Sequence, residues 1–431
     1  MNIHFIGIGG IGLSALASFL KYSGHNISGS DIKSTPITQS LENNGIKITI
    51  PHSASAICGQ DLVIYSAAVT ATNTERLEAV KQGLKILPRK DALPIILKDT
   101  QNYCVCAAHG KSTTTAMLSS ILQSSALIGA ISKEFNSNFR YIDKILAFEA
   151  DESDESFILS NPYCSIVLNT EPEHMEYYNY DKKRFYDAYK KFLDLATIRV
   201  INIEDPFLKD YKKEAIKISP KTDIKNIEFF LKDGEPYTKF QLKDLGNFEV
   251  WGFGEHIALD ASCAILAATH TMDIDTIKQN LTLYKGIKKR FDIIKKLNDF
   301  IIIDDYAHHP TEITVTLQSV KLYQQLINIP TITIIWQPHK YSRTKDNLEA
   351  FKNCFKGCNQ LIILPVWTVA EPILDIDFAE EFKQYNPIFA DNIRSINNQL
   401  EIIKDQKIIQ IIDKGIILGV GAGDITYQLR G

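Results

Sequence analysis

Three groups of residues in this sequence have the types and spacing of phosphate and metal chemistry. The first is Gly7-Ile8-Gly9-Gly10-Ile11-Gly12, which fits G-x-G-x-x-G between an apolar run and a helical pattern. Glycines there permit a tight turn and let backbone N–H groups approach a diphosphate, and a helix N-terminus adds partial positive charge. Asp31, at the end of the next apolar run, stands where an acid can bind a ribose hydroxyl. Taken alone the turn reads as a dinucleotide site for NAD; a UDP-sugar carries a diphosphate too, and the motif does not choose between them. The second group is Ala107-Ala108-His109-Gly110-Lys111-Ser112-Thr113, between the run NYCVC and the helical pattern TTTAMLSSILQ. Strand, loop, G-K-[ST] and helix are the parts of an ATP phosphate loop, with Lys111 for the β/γ-phosphates and Ser112 for Mg²⁺. Val105 stands where the strict pattern has its first glycine. The third group is acidic: Glu149, Asp151, Glu152, Asp154 and Glu155 follow the run KILAF, and Glu171-Pro172-Glu173-His174 follows SIVLNT. Carboxylates crowded at two neighbouring strand ends beside a lysine loop are suited to a nucleotide–Mg²⁺ site.

These loops need strands and helices to hold them. The first ~90 residues alternate short apolar runs with helical patterns, a βαβ rhythm that implies a parallel sheet. A second α/β rhythm opens at 102–108, and the more polar stretch from about 203 to 250 reads as shorter strands and loops. A helix is expected over 260–272. Four runs of the last third, FIIIDDYAHHP, TITIIWQPHK, QLIILPVW and GIILGVGAGD, each end in polar or glycine residues. Ligands gather at strand carboxyl ends in open α/β sheets, so this segment is expected to wall an active site. Boundaries at 87–99, rich in proline and charge, and at the basic 284–291 divide the chain into 1–98, 99–285 and 286–431.

The chain has 431 residues, 45% hydrophobic and 23% charged, with a net charge of 47 − 51 = −4. That excludes wholesale disorder, a collagen-like repeat, a disulfide-stapled miniprotein and a generally basic nucleic-acid binder. Seven scattered cysteines, without paired CxxC spacing, read as free thiols of a reducing cytosol. Cys104 and Cys106 lie on an expected strand and read as core rather than metal ligands. The run Phe5–Leu20 is too short to span a bilayer and carries a glycine cluster, so the expected setting is cytoplasmic, with no membrane partner.

In order along the chain, HFIGIGGIGLSALA, SGSD, AHGKSTTT, EADESDESF, NTEPEHMEYY, KRFD, DDYAHHPTEI, WQPHKYSRT and GAGDI resemble the Mur ligase family. The resemblance covers nearly the whole chain, and the last three motifs are its most specific. It implies three α/β domains: an N-terminal Rossmann-like parallel sheet for a UDP-sugar, a central P-loop ATPase-type domain and a C-terminal Rossmann-like domain that closes over both. It implies an ATP-dependent ligase that joins L-alanine to the lactyl carboxylate of UDP-N-acetylmuramate through an acyl phosphate, with Mg²⁺, as a monomer or homodimer, in peptidoglycan precursor synthesis. Carried over by position, Gly7, Gly9, Gly10, Gly12, Asp31 and Ser66 bind the UDP-sugar, and Ala107 to Thr113 bind ATP with Lys111 on the phosphates. Ser112, Glu149 and His174 hold metal, with Glu152 as second choice to Glu149. Arg290 and Asp305 reach the nucleotide, and His339 and Arg343 lie near the lactate and the incoming amino acid. His308 and His309, a histidine pair before Pro310, read more readily as a capped turn than as a catalytic pair.

The chain departs from the family pattern at four places. Ala107-Ala108 replaces a G-T pair; His256-Ile257-Ala258-Leu259-Asp260 lacks two asparagines near the adenine. NTEPEHMEYY differs in its middle residues, and the stretch after QLIILPVW keeps only Ala370-Glu371-Pro372 of a tyrosine-rich acidic motif. Two other activities use part of the same residues: a recycling ligase joining a peptide to the same sugar, and an NAD-dependent oxidoreductase resting on Gly7–Gly12 and Asp31. A nucleotide-binding scaffold without activity is the third alternative.

Overall fold

The structure is a computed structural model that describes residues 1–368 and 371–431; Ala370 of the Ala370-Glu371-Pro372 triplet lies outside the described residues. The chain divides into two compact units, 1–227 with 240–250 and 258–285, and 228–239 with 251–257 and 286–431.

The first unit carries two sheets. A five-stranded sheet has the order Lys47–Thr49, Asn26–Ser30, Asn2–Ile6, Leu62–Tyr65, Lys85–Pro88, with every pair parallel. Its central strand is buried on both faces (Ile3, His4, Phe5 and Ile6), as expected when helices cover both sides. A seven-stranded sheet has the order Ile216–Ile218, Ile198–Asn202, Pro162–Val167, Gln101–Cys106, Ile145–Glu149, Ser125–Ser132, Ser137–Arg140. All its pairs are parallel but the last. Cys104 and Cys106 are buried in its central strand, and all seven cysteines are free thiols. One apolar cluster runs from Leu13, Leu16 and Phe19 of the first sheet's helix to Leu127, Leu146 and Phe148 of the second sheet. Asn138 Nδ2 crosses the seam, donating to Ile11 O at 2.6 Å and to Ser14 Oγ at 3.1 Å. That seam brings the helix following the first glycine turn against the sheet that carries the lysine loop.

In the second unit a six-stranded sheet has the order Asp292–Lys296, Phe300–Asp305, Gly415–Val420, Ile332–Trp336, Gln360–Ile363, Ile388–Phe389. Its first pair is antiparallel and the rest parallel. The four runs singled out in the sequence are its adjacent parallel strands, so their carboxyl ends open at one edge. An antiparallel sheet, Asn392–Ile396, Gln399–Lys404 and Lys407–Ile412, packs Ile393, Leu400 and Ile402 against Ile302, Ile335 and Ile417.

Two local expectations shift. The stretch 87–99 is largely helical: strand Lys85–Pro88 runs directly into helix Arg89–Ile96, whose Ala92 and Leu93 are buried. Pro94 sits within this helix, and the burial of its apolar face outweighs the local breaker. The helix expected over 260–272 spans Glu255–Ala268, because it starts straight after Gly254 and the 3.6-residue pattern does not mark its end.

Candidate active site

The glycine turn is braced from behind. Gly7 N and Ile8 N donate to Ser30 O at 2.9 and 3.0 Å, and Gly9 N donates to Asp31 Oδ2 at 2.8 Å. Gly7 has φ +80°, a conformation that favours glycine. A Cβ on Gly9 would lie 2.8 Å from Asp31 Oδ2. The acid expected at a ribose hydroxyl is therefore turned onto the loop: its other oxygen accepts from Ile32 N at 2.8 Å. Gly10 and Gly12 face outward into a cleft of about 760 Å³, which Ser66 also lines and which Gly7, Gly9 and Asp31 do not.

The opposite wall of that cleft belongs to the second sheet: Lys111, Gly129, Glu149, Asp151, Glu152 and His174. The lysine loop leaves strand Gln101–Cys106 and enters helix Lys111–Leu122 through Gly110 at φ +88°. A Cβ there would lie 2.7 Å from Asp260 Oδ1 and 2.9 Å from Leu168 Cδ1. Glycine is thus required both by conformation and by space. Ala107 and Ala108 are buried, and neither has positive φ, so their substitution for the family's G-T carries no backbone penalty. His109 is pinned by Asn169, whose Oδ1 accepts from His109 N and whose Nδ2 donates to His109 O, both at 3.0 Å. Asp260, in place of an asparagine, packs against Gly110. Ser112 and Thr113 are half-buried in the first turn of the helix.

Lys111 is drawn inward. Its Nζ donates to Glu152 Oε1 at 2.9 Å and to the loop carbonyls of Ala107 at 2.5 Å and Ala108 at 3.1 Å. Burial works against its charge, but Glu152, with Cys106 and Glu149 beside it, outweighs burial and raises its pKa above the usual lysine range. Glu152 is pushed up to about 7 by burial, with Asp151 adding to the rise and Lys111 opposing it. Its second oxygen, Oε2, is buried without a hydrogen-bond partner. Glu152, Glu173 and His174 each offer a ligand atom within 4.8 Å of the other two. Two carboxylates and an imidazole, one carboxylate oxygen orphaned, fit a divalent cation. Glu149 is not in that group; its Oε2 accepts from Gly129 N at 2.7 Å.

Sequence reasoning missed Arg89 and Lys90, both on the cleft. Arg89 Nε is buried without a partner and would lie 3.3 Å from a Cβ on Gly12. Lys90 Nζ donates to Tyr177 OH at 3.3 Å. The available signal was a basic pair directly after a strand that runs parallel to the glycine-turn strand, the position where anions collect.

The second unit gathers its own cluster at the strand ends. Asp305 is buried and accepts from Phe291 N at 2.7 Å and Ala307 N at 2.8 Å. Burial raises its carboxyl to about 6 against the pull of Arg290. Arg290 Nη1 lies 3.4 Å from Glu312 Oε1. Glu312 Oε2 accepts from His308 N at 3.0 Å and His309 N at 3.3 Å, a capping box that begins helix Pro310–Ile327. The histidine pair thus serves the cap, while the His308 ring packs edge-on against His339, centroids 5.7 Å apart. His339 Nδ1 lies 2.9 Å from Arg343 Nη1, which makes Nδ1 the acceptor of that bond. Burial, with Arg343, lowers His339 to about 4; burial chiefly lowers His308 to about 4 as well. Glu371 accepts from Ser342 Oγ at 2.7 Å and from Tyr341 N, so it anchors the loop that carries these residues.

No helix among the described residues is long and apolar enough to cross a membrane. Residues 2–101 match the family model described as "Mur ligase family, catalytic domain", and 289–423 match "Mur ligase, glutamate ligase domain". A UDP-N-acetylmuramate–L-alanine ligase of Campylobacter curvus is 51% identical over the whole of this chain and 99% of its own length. The ligase of the same name from Helicobacter pylori strain J99 is 55% identical, over the whole of this chain and 96% of its own. The crystal structure of a UDP-N-acetylmuramate–alanine ligase from Thermotoga maritima superposes with a TM-score of 0.81 at 25% identity, covering 100% of this chain and 97% of that one. With full-length relatives at this identity and two matched family models, the chain belongs to the Mur ligase family.

Proposed function

We propose that this protein is an ATP-dependent ligase that joins L-alanine to the lactyl carboxylate of UDP-N-acetylmuramate. The observation that carries this reading is the single cleft walled by Gly10, Gly12 and Ser66 on one side and by Lys111, Glu149, Glu152 and His174 on the other. Such a cleft suits a diphosphate-bearing substrate whose far end must meet a second polyphosphate. Arg89, with an unpartnered buried Nε, is assigned to the diphosphate beside the helix N-terminus. The names of the relatives support the choice of sugar and amino acid.

The chemistry follows from the poor electrophilicity of a carboxylate. A lactyl carboxylate oxygen attacks the γ-phosphorus of ATP, the bond to the bridging oxygen breaks, and ADP leaves. The alanine amine then attacks the acyl carbon, phosphate departs with the bonding pair, and the amine gives up a proton. Three anionic groups must be held together, so cationic residues are required. Lys111 is assigned to the transferred phosphoryl group, which it meets by exchanging the loop carbonyls for phosphate oxygens. The metal, Mg²⁺, would be held by Glu152, Glu173 and His174, with Ser112 and Glu149 the further expected ligands; it supplies charge neutralisation at the phosphates. In the second unit Arg290 and Asp305 are assigned to the nucleotide, and His339 with Arg343 to the lactate and the incoming amino acid. Domain limits of 1–98, 99–285 and 286–431, a cytoplasmic site of action, and a monomer or homodimer go with this reading.

The test is coupled phosphate release with a panel of amino acids, peptides and UDP-sugars. Release that requires both UDP-N-acetylmuramate and L-alanine is the expected result. Turnover with a tripeptide and none with L-alanine moves the protein to the recycling activity; NADH binding without UDP-sugar binding returns the glycine turn to a nicotinamide site.

A further inference from the structure

Behind the glycine turn lies a buried polar network that the chemistry above does not use. Glu75, in the first turn of helix Thr74–Lys81, is completely buried. Its Oε2 accepts from Ser30 Oγ at 2.5 Å and from His4 Nε2 at 3.1 Å, and its Oε1 accepts from Ser53 N at 2.8 Å. Because the Ser30 hydroxyl gives its one proton to Glu75, it accepts from His52 Nδ1, 2.8 Å away. His4 Nδ1 meets Ser28 Oγ at 2.8 Å. Burial opposes ionisation of Glu75, but these bonds outweigh it and hold the carboxyl below the usual glutamate range. A buried carboxylate with three donors is a fixed anchor, since each donor would be left unsatisfied by any movement.

Ser30 is the pivot. Its side chain is held by Glu75 and His52, and its carbonyl accepts from Gly7 N and Ile8 N. The next residue, Asp31, accepts from Gly9 N. Three consecutive N–H groups of the turn are thus tied to one strand end, and that strand end is tied to Glu75. Those bonds leave Gly10 and Gly12 to face the cleft.

We propose that Glu75 is a positioning residue for the UDP end of the substrate, acting through Ser30 on the Gly7–Gly12 turn. This rests on the cleft being the UDP-sugar site. Glu75 touches no ligand; it sets where the turn's N–H groups point. Glu75→Gln keeps the shape but replaces one accepting oxygen with a donating NH₂, so Ser30 or His4 must reverse its hydrogen bond, and the Ser30–His52 and His4–Ser28 bonds with it, or lose it. The expected result is a KM for UDP-N-acetylmuramate raised on the order of tenfold, with kcat and the KM values for ATP and L-alanine within about twofold. Ser30→Ala removes the hydroxyl, leaves the carbonyl, and is expected to raise the same KM alone. The double variant is expected to be no worse than the more affected single one, because both remove the same link.

Calorimetric titration of UDP-N-acetylmuramate into the unmodified protein without ATP separates the two levels. No binding there refutes the cleft assignment itself. Binding to the unmodified protein that is equally tight in Glu75→Gln and Ser30→Ala refutes the positioning role. So does a variant that loses thermal stability while every kinetic constant stays put, or whose losses fall equally on all three substrates. If Glu75→Gln fails to fold, Ser30→Ala decides alone: an unchanged KM for the sugar overturns the proposal.

Discussion

Replacing Lys111 with alanine tests the centre of the site in two independent ways. Removal of one cation from a transferring phosphoryl group is worth roughly 3 kcal/mol, so kcat/KM for ATP is expected to fall at least 10²-fold. The second readout is stability against pH. Lys111 Nζ lies 2.9 Å from Glu152 Oε1, and the Glu152 side chain is only 2% exposed. Stripping the partner from a buried ion pair costs about 3–5 kcal/mol if the remaining charge stays. Glu152, at about 7 with its partner present, has a less costly route: it takes up a proton, at ~1.4 kcal/mol per pH unit. A carboxyl whose folded pKa is raised contributes stability that is full below its unfolded pKa and is lost as pH rises through the folded one. In the intact protein that loss ends near pH 7; in the variant it continues upward. The variant is expected to be close to the parent in stability at pH 6. It should then fall behind by about 1.4 kcal/mol per unit above pH 7, over two to three units. Phosphate release and denaturant melts at pH 6, 7, 8 and 9 measure both, and Lys111→Ala combined with Glu152→Gln is expected to remove the pH slope. Activity within about threefold of the parent, or a stability gap equal at pH 6 and 9, refutes the reasoning.

The metal ligands separate by titration with Mg²⁺. Glu152→Gln is expected to raise the Mg²⁺ concentration needed for half-maximal phosphate release about tenfold or more, and Glu149→Gln less, because only Glu152 belongs to the three-donor group; chelation should abolish release in the parent and added Mg²⁺ restore it. Arg89→Ala is expected to weaken UDP-N-acetylmuramate by about 1.5–3 kcal/mol, the worth of a charged hydrogen bond, with ATP unaffected; equal titration isotherms would refute the assignment. Asp305, raised to about 6 by burial, contributes stability that is complete below pH 4 and lost between about pH 4 and 6. The stability gap between parent and Asp305→Asn is therefore expected to shrink across that range, as read by melts, and a gap independent of pH would show that Asp305 is not held protonated.

Much of the site was written locally. A phosphate loop is a run of consecutive residues, so Gly110, Lys111 and the helix that follows are set by spacing and by glycine's access to positive φ. The same holds for Gly7–Gly12, and for the strand ends that carry Asp305, His339 and Arg343. Family resemblance supplied roles that spacing alone left open, including the sugar in place of NAD. What no local pattern contains is which side chains meet across the chain. Asp31 stands at the position of a ribose ligand, and its bond to Gly9 adds a bracing role that no local pattern announces, because that partner is fixed by how one strand end folds over the turn before it. Lys111 looked aimed at phosphate and is held by Glu152, because burial makes an unpaired ammonium costly and the nearest carboxylate claims it. Arg89 and Glu75 gave no motif at all. Their importance comes from parallel strands lying side by side, which brings Glu75 against His4 and Ser30, and Arg89 against Gly12. Sequence determines the loops because their chemistry is a matter of neighbours along the backbone; only the packed sheets decide which charges are paired, which are orphaned, and hence which are left for a ligand.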